Sequence, residues 1–190
     1  MFRQVPVLPV VVPLAAVVLA ALLWSLHRSG RWSTPRADVA VVLSVYAAGI
    51  VANTVFPVFL DKPRADVPWS EYLVLDPRTG YEVSDAVMNV LVFVPLGVLG
   101  ALVLARPSWL RVMAAVVAST LAIEVTQYLT AHLLGGGHIA DVHDLFFNVV
   151  GGAVGYGLLQ LASRVPALAG FVDRVRWQRA EVAAPPPAHL

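Results

Sequence analysis

The stretch AVMNVLVFVPLGVLGALVLA, Ala86 to Ala105, decides the fold class. It is twenty residues long, and Asn89 is its one strongly polar member. A bilayer's hydrocarbon core is roughly 30 Å thick and a helix rises about 1.5 Å per residue, so about twenty apolar residues make one crossing. Four further stretches reach that length: about Val7 to Leu26, Val39 to Leu60, Leu110 to Leu129 and Val142 to Ala162. Composition points the same way. The 190 residues are 58% apolar and 13% charged, with a mean hydropathy of +0.75, whereas ordinary globular chains carry about 25% charge. The chain reads as an all-α, polytopic membrane bundle of about five transmembrane helices. Its first stretch is longer than the apolar core of a signal peptide and no clean small-x-small site follows, so it reads as a span.

Several function classes fall away on composition. A net charge of +1 leaves no basic field to hold nucleic acid by counterion release. The absence of cysteine removes disulfides, thiolate metal sites and cysteine nucleophiles. Nearly all the basic residues are Arg, and Ala and Val abound, a bias that suggests a GC-rich bacterial genome.

Basic residues are retained on the cytoplasmic side of a membrane, so their distribution predicts orientation. The segments after spans one, three and five hold nine: Arg28, Arg31, Arg36, Arg106, Arg111, Arg164, Arg174, Arg176 and Arg179. The alternate segments hold four: Arg3, Lys62, Arg64 and Arg78. The N-terminus is therefore expected outside and the C-terminus inside. The second loop carries Trp69, Tyr72 and Tyr81, aromatics expected at a headgroup surface. Residues 1–164 make the transmembrane domain, and 165–190 read as a cytoplasmic interfacial segment with a disordered, Pro-rich end.

Ionisable residues inside spans are costly and mark functional sites by default. Thr120, Glu124 and Gln127 fall on one face of the fourth span, within about 60°. Asp141, Asp144, Asn148, Gly151 and Gly155 occupy an arc of about 80° on the fifth. The third adds Asp85 and Asn89, with Gly100 continuing the face and Pro95 kinking it. Gly100, Gly151 and Gly155 are expected to let neighbouring helices approach closely. Lipid offers no hydrogen-bond partners, so Asn89, Glu124, Gln127, Asp141, Asp144 and Asn148 are expected to converge, toward the outer leaflet. His138 and His143 lie beside them. Plainer roles compete: interhelical hydrogen bonds for Asn89, Gln127 and Asn148, helix capping for Asp141 and Asp144, and a solvated loop for the two histidines. A divalent cation held by His138, Asp141, His143 and Asp144 is compatible with their ligand types, although the spacing matches no strong signature.

Three motifs in order, Asn89-x-x-x-Phe93-x-Pro95-x-Gly97, Glu124-x-x-Gln127 and Asp141-x-x-Asp144-x-x-x-Asn148-x-x-Gly151-x-x-x-Gly155, resemble the VanZ-like family of bacterial membrane proteins. The resemblance covers about Val39 to Ala162, and Thr54-x-Phe56-Pro57 is similar as well. It implies a multi-pass protein of the bacterial cytoplasmic membrane, associated with resistance to the glycopeptide teicoplanin. Where the family usually carries Arg three residues before the first Asp, this chain has His138, which is charged only when protonated.

The expected function is binding of a cell-envelope lipid, a lipid-linked precursor or a glycopeptide antibiotic at the outer face. Asn89, Glu124, Gln127, His138, Asp141, Asp144 and Asn148 would form the binding site, with no cofactor beyond a possible divalent cation. Two other classes stand beside it. An intramembrane enzyme would use Glu124, Asp141 or Asp144 as general base or metal ligand, and a structural bundle partner would carry no chemistry. The lipid bilayer is the one partner that every reading requires.

The orientation is testable in a chain with no native thiol. Gly80→Cys and Gly136→Cys are expected to react with a membrane-impermeant thiol reagent in intact spheroplasts, and Ser33→Cys is not. Labelling of Ser33→Cys alone would reverse the topology.

Overall fold

The computed structural model describes residues 2–62, 67–78, 80–135 and 138–177. Among these described residues five helices are long and apolar enough to cross a membrane: α1 (Leu8–Arg28), α2 (Thr34–Val55), α3 (Val83–Val103), α4 (Trp109–Leu134) and α5 (Val142–Arg164). A shorter helix follows, α6 (Pro166–Val175). The chain is thus an all-α, multi-pass membrane bundle. Two-residue strands, β1 (Leu73–Val74) and β2 (Ala140–Asp141), pair in parallel with Leu73 opposite Ala140 and Val74 opposite Asp141.

Local chemistry sets where the helices stop, and it moves two expected ends. The second span was expected to reach Leu60, but α2 ends at Val55. Pro57 disfavours helical geometry in the residue before it, and Phe56 is extended at φ −97 and ψ 149. The chain beyond pairs with the N-terminus: the Val5 N–H donates to Val58 O at 2.9 Å and the Leu60 N–H to Arg3 O at 3.0 Å. The fourth span was expected to end near Leu129, where hydropathy falls, yet α4 continues to Leu134. Gly135 closes it at φ 61, the left-handed geometry that glycine adopts without a Cβ clash.

Helix α1 lies against α2, while α5 packs on both α3 and α4. The short connection from α3 to α4 predicts antiparallel neighbours, and the return of α5 was expected beside α4. It does return beside α4, and its most intimate partner is α3, to which it runs parallel. A Cβ on Gly97 would stand 2.0 Å from the carbonyl oxygen of Gly152, and one on Gly155 would stand 2.0 Å from that of Val94. One on Gly151 would lie 2.3 Å from Val90 O. The obstructing atoms are backbone, so no rotamer change relieves them.

Gly151 and Gly155 take the expected role, but Gly100 does not. Its nearest neighbour would be Val112 Cγ1 at 3.6 Å, ordinary contact with α4. Gly97, about 80° round the helix from Asn89, holds the crossing, because it shares with Val90 and Val94, at steps of four and three, the face that meets α5.

The segment expected at the membrane interface is ordered as α6. It buries Val172 and Val175, and Trp177 after it, while Leu168 and Phe171 stay exposed. The Trp177 N–H donates to Leu102 O at 2.9 Å, and Arg36 Nε donates to Arg176 O at 3.0 Å. The end expected to be disordered, residues 178–190, lies outside the described residues, as does Gly136.

The glycine contacts make a paired prediction. Gly97→Ala is expected to lower the bundle's stability by about 1–3 kcal/mol or more, the range for forcing atoms into a packed core. Gly100→Ala should be nearly neutral. Thermal unfolding of both variants in one detergent would check this, and equal losses would contradict the backbone contact.

Candidate functional site

Polar side chains gather at the end of the bundle where α3 and α5 begin and α4 finishes. On α4 the anticipated stripe is buried: Thr120 is 0% exposed, Glu124 8% and Gln127 7%. It turns toward α5, whose Asn148 is 3% exposed. The carboxylate of Glu124 accepts the Asp141 backbone N–H at 3.0 Å. Farther along, Asn148 Nδ2 donates to Thr120 Oγ1 at 2.9 Å. The antiparallel helices α4 and α5 are therefore stitched at two levels.

Asp141 and Asp144 divide the work that sequence left open between them. Asp141 caps α5, its Oδ1 accepting the His143 N–H at 2.8 Å, which satisfies one of the unpaired donors of a helix start. The same oxygen pairs with His143 Nδ1 at 2.7 Å. Asp144 instead reaches α3, where Asn89 Nδ2 donates to its Oδ1 at 2.6 Å. The Tyr81 hydroxyl donates to that oxygen too and lies 2.6 Å from Asn89 Nδ2.

Tyr81 is the site residue that sequence reasoning missed, since it was read as a headgroup aromatic. It sits two residues before α3, and no periodic pattern reaches it. Its ring stacks on His143 and Phe147, with centroids 4.8 and 5.4 Å away. The second loop is tied down further by Pro77 O, 3.2 Å from His143 Nε2, and by Trp69, stacked on His132 of α4 at 3.6 Å. Burial pushes the Tyr81 phenol above the ordinary tyrosine range, and its bond to the Asp144 carboxylate and that group's charge push it further. The hydroxyl is thereby kept as a neutral donor.

His138 stands apart, with Nε2 3.1 Å from Phe56 O in the segment after α2. Of the four residues weighed as metal ligands, Asp141 and His143 pair with each other, while Asp144 is engaged by Asn89 and His138 by Phe56 O. Among the described residues no group of three or more His, Asp or Glu side chains gathers as a cation site would need. Gln127 shares the buried face of Glu124, but its Oε1 has no hydrogen-bond partner among the described residues, and neither has Asn148 Oδ1. The network as a whole is a ladder of carboxylates, amides and one phenol, able to donate to and accept from a polar group at membrane depth. A family model described as VanZ/LLP1 matches residues 10–163. No curated protein and no solved structure matches the chain.

The raised Tyr81 value carries a sign. Folding favours the protonated phenol, so its contribution to stability is fully present below the ordinary value of 10.0 and is lost progressively as pH rises from there through the elevated one. In an ultraviolet difference titration, subtracting Tyr81→Phe from the parent chain should leave a tyrosine that ionises later than an exposed phenol. A difference step at the ordinary value would contradict the burial.

Proposed function

Because the chain belongs to the VanZ-like family, we propose that it acts at the outer face of the bacterial cytoplasmic membrane. There it binds the polar headgroup of a cell-envelope lipid, a lipid-linked precursor or a glycopeptide antibiotic, and contributes to teicoplanin resistance. The N-terminus lies outside, as the distribution of arginines supports. Residues 1–164 form the membrane domain, and those from 165 onward lie on the cytoplasmic side.

One observation carries the reading: Glu124 is buried in a membrane-spanning helix and held by a backbone N–H. Among the described residues no Lys or Arg pairs with it. A carboxylate at that depth is expensive unless something arrives to pair with it. Asn89, Tyr81 and Asp144 extend the same polar surface, and Asp141, Gln127 and Asn148 line its α4–α5 side. His138, engaged with Phe56 O, stands at the rim and contributes to headgroup contact only by releasing that carbonyl.

The test compares parent and Glu124→Gln strains for teicoplanin susceptibility and for envelope lipid composition. The variant is expected to accumulate normally, lose the protection and leave the lipid pool unchanged. A lipid product that disappears in the variant would replace binding by catalysis. Loss of accumulation alone would assign Glu124 a structural role.

A further inference from the structure

The chemistry of the ladder narrows what it can hold. Its side chains are rich in acceptors and poor in positive charge. Glu124 and Asp144 are carboxylates without a Lys or Arg partner among the described residues, and the imidazole of His143 is already committed to Asp141 at 2.7 Å. The Asp141 N–H reaches one oxygen of Glu124, and the other accepts no bond from a described residue. Gln127 is the independent sign that a partner is missing. It is more than nine-tenths buried on the same face, one turn from Glu124, and its Oε1 accepts nothing from the described residues. Asn148 Oδ1 adds a second buried acceptor in the same state.

Buried polar atoms are nearly always satisfied, and leaving an acceptor unpaired costs about 1–3 kcal/mol. Such a set is deficient in donors and in positive charge together. An anionic headgroup would bring like charge against Glu124 and Asp144, which no guanidinium among the described residues pairs with. The family's usual Arg is His138 here, and His138 faces away toward Phe56 O. A primary ammonium supplies both missing things, three N–H donors and a full positive charge.

Resting on the headgroup reading above, we infer that the buried acceptors around Glu124 recognise a primary ammonium group. It is carried either by an aminophospholipid headgroup or by an amine-bearing amphiphile that is not a lipid. Glu124 supplies the charge, and Gln127 supplies the neutral acceptor that selects N–H donors over a methylated cation. The ammonium binds without any bond being made or broken.

The test offers the full-length chain equimolar phosphatidylethanolamine, phosphatidylcholine and phosphatidylglycerol in vesicles, and counts retained lipid by native mass spectrometry. A second arm offers dodecylammonium and dodecyltrimethylammonium in phosphatidylglycerol nanodiscs. The expected result is retention of the primary amine about tenfold above its trimethylated analogue, a difference of one charge-assisted hydrogen bond. The preference should vanish in Glu124→Gln and fall several-fold in Gln127→Met, which keeps the side chain's length and removes the acceptor. Selectivity in the first arm identifies a lipid source, and selectivity confined to the second identifies a non-lipid amphiphile. Glu124-dependent retention without preference for the primary amine, or with preference for phosphatidylglycerol, would overturn the ammonium inference and leave the headgroup reading standing. Retention of no lipid or amphiphile through Glu124 would overturn both. Gln127→Met guards against a folding defect, since it introduces no buried charge and conserves volume.

Discussion

The contact on which the rest of the molecule depends is the backbone-to-backbone crossing of α3 and α5. In lipid there is no hydrophobic gain from bringing two helices together, so association rests on close packing and on hydrogen bonds between them. At Gly97, Gly151 and Gly155 the opposing carbonyls lie where a side chain would otherwise begin. That closeness puts the first turn of α5 beside that of α3. It is the reason Asp144 can take a hydrogen bond directly from Asn89, without a water or a longer side chain between.

The polar ladder then aligns what the crossing holds together. Interhelical hydrogen bonds inside membranes contribute only about 0.6–2 kcal/mol each, so Asn148 on Thr120 and Glu124 on the Asp141 amide do little to drive assembly. Their effect is on register: a slip of α4 by one turn would strand Thr120 and Glu124 against apolar neighbours. The second loop reinforces the same register from outside the bundle. Its strand β1 pairs with β2 immediately before α5 begins, and Tyr81 reaches Asp144 within the first turn.

Spans and polar faces were legible in the sequence because both follow from short-range arithmetic. Twenty apolar residues set a span, and steps of three and four put Thr120, Glu124 and Gln127 on one buried face. Helix ends were less legible where hydropathy and local geometry disagree. Val58 to Leu60 are apolar enough to extend α2, yet Pro57 stops it, and the last turn of α4 is helical although Thr130 and His132 lower its hydropathy. The preference of α5 for α3 over α4 was beyond a single chain's pattern, since it depends on which glycine faces which helix. Tyr81 was illegible for a related reason. It belongs to a loop, and its place against Asp144 is fixed by tertiary contacts far away in sequence.

The clasp formed by α6 has a consequence for how the protein is made. Arg36 belongs to the first third of the chain and Arg176 to its last stretch, yet one donates to the other's carbonyl, and the next residue, Trp177, bonds to Leu102 at the end of α3. A ribosome releases these partners in order, with Arg36 and Leu102 delivered long before the segment that closes over them. That end of the bundle therefore stays open until α6 and the residues just after it have emerged. A nascent chain that stalls before residue 166 would leave Arg36 and Leu102 without these late partners, so closure of this end is ordered in time by the order of the sequence.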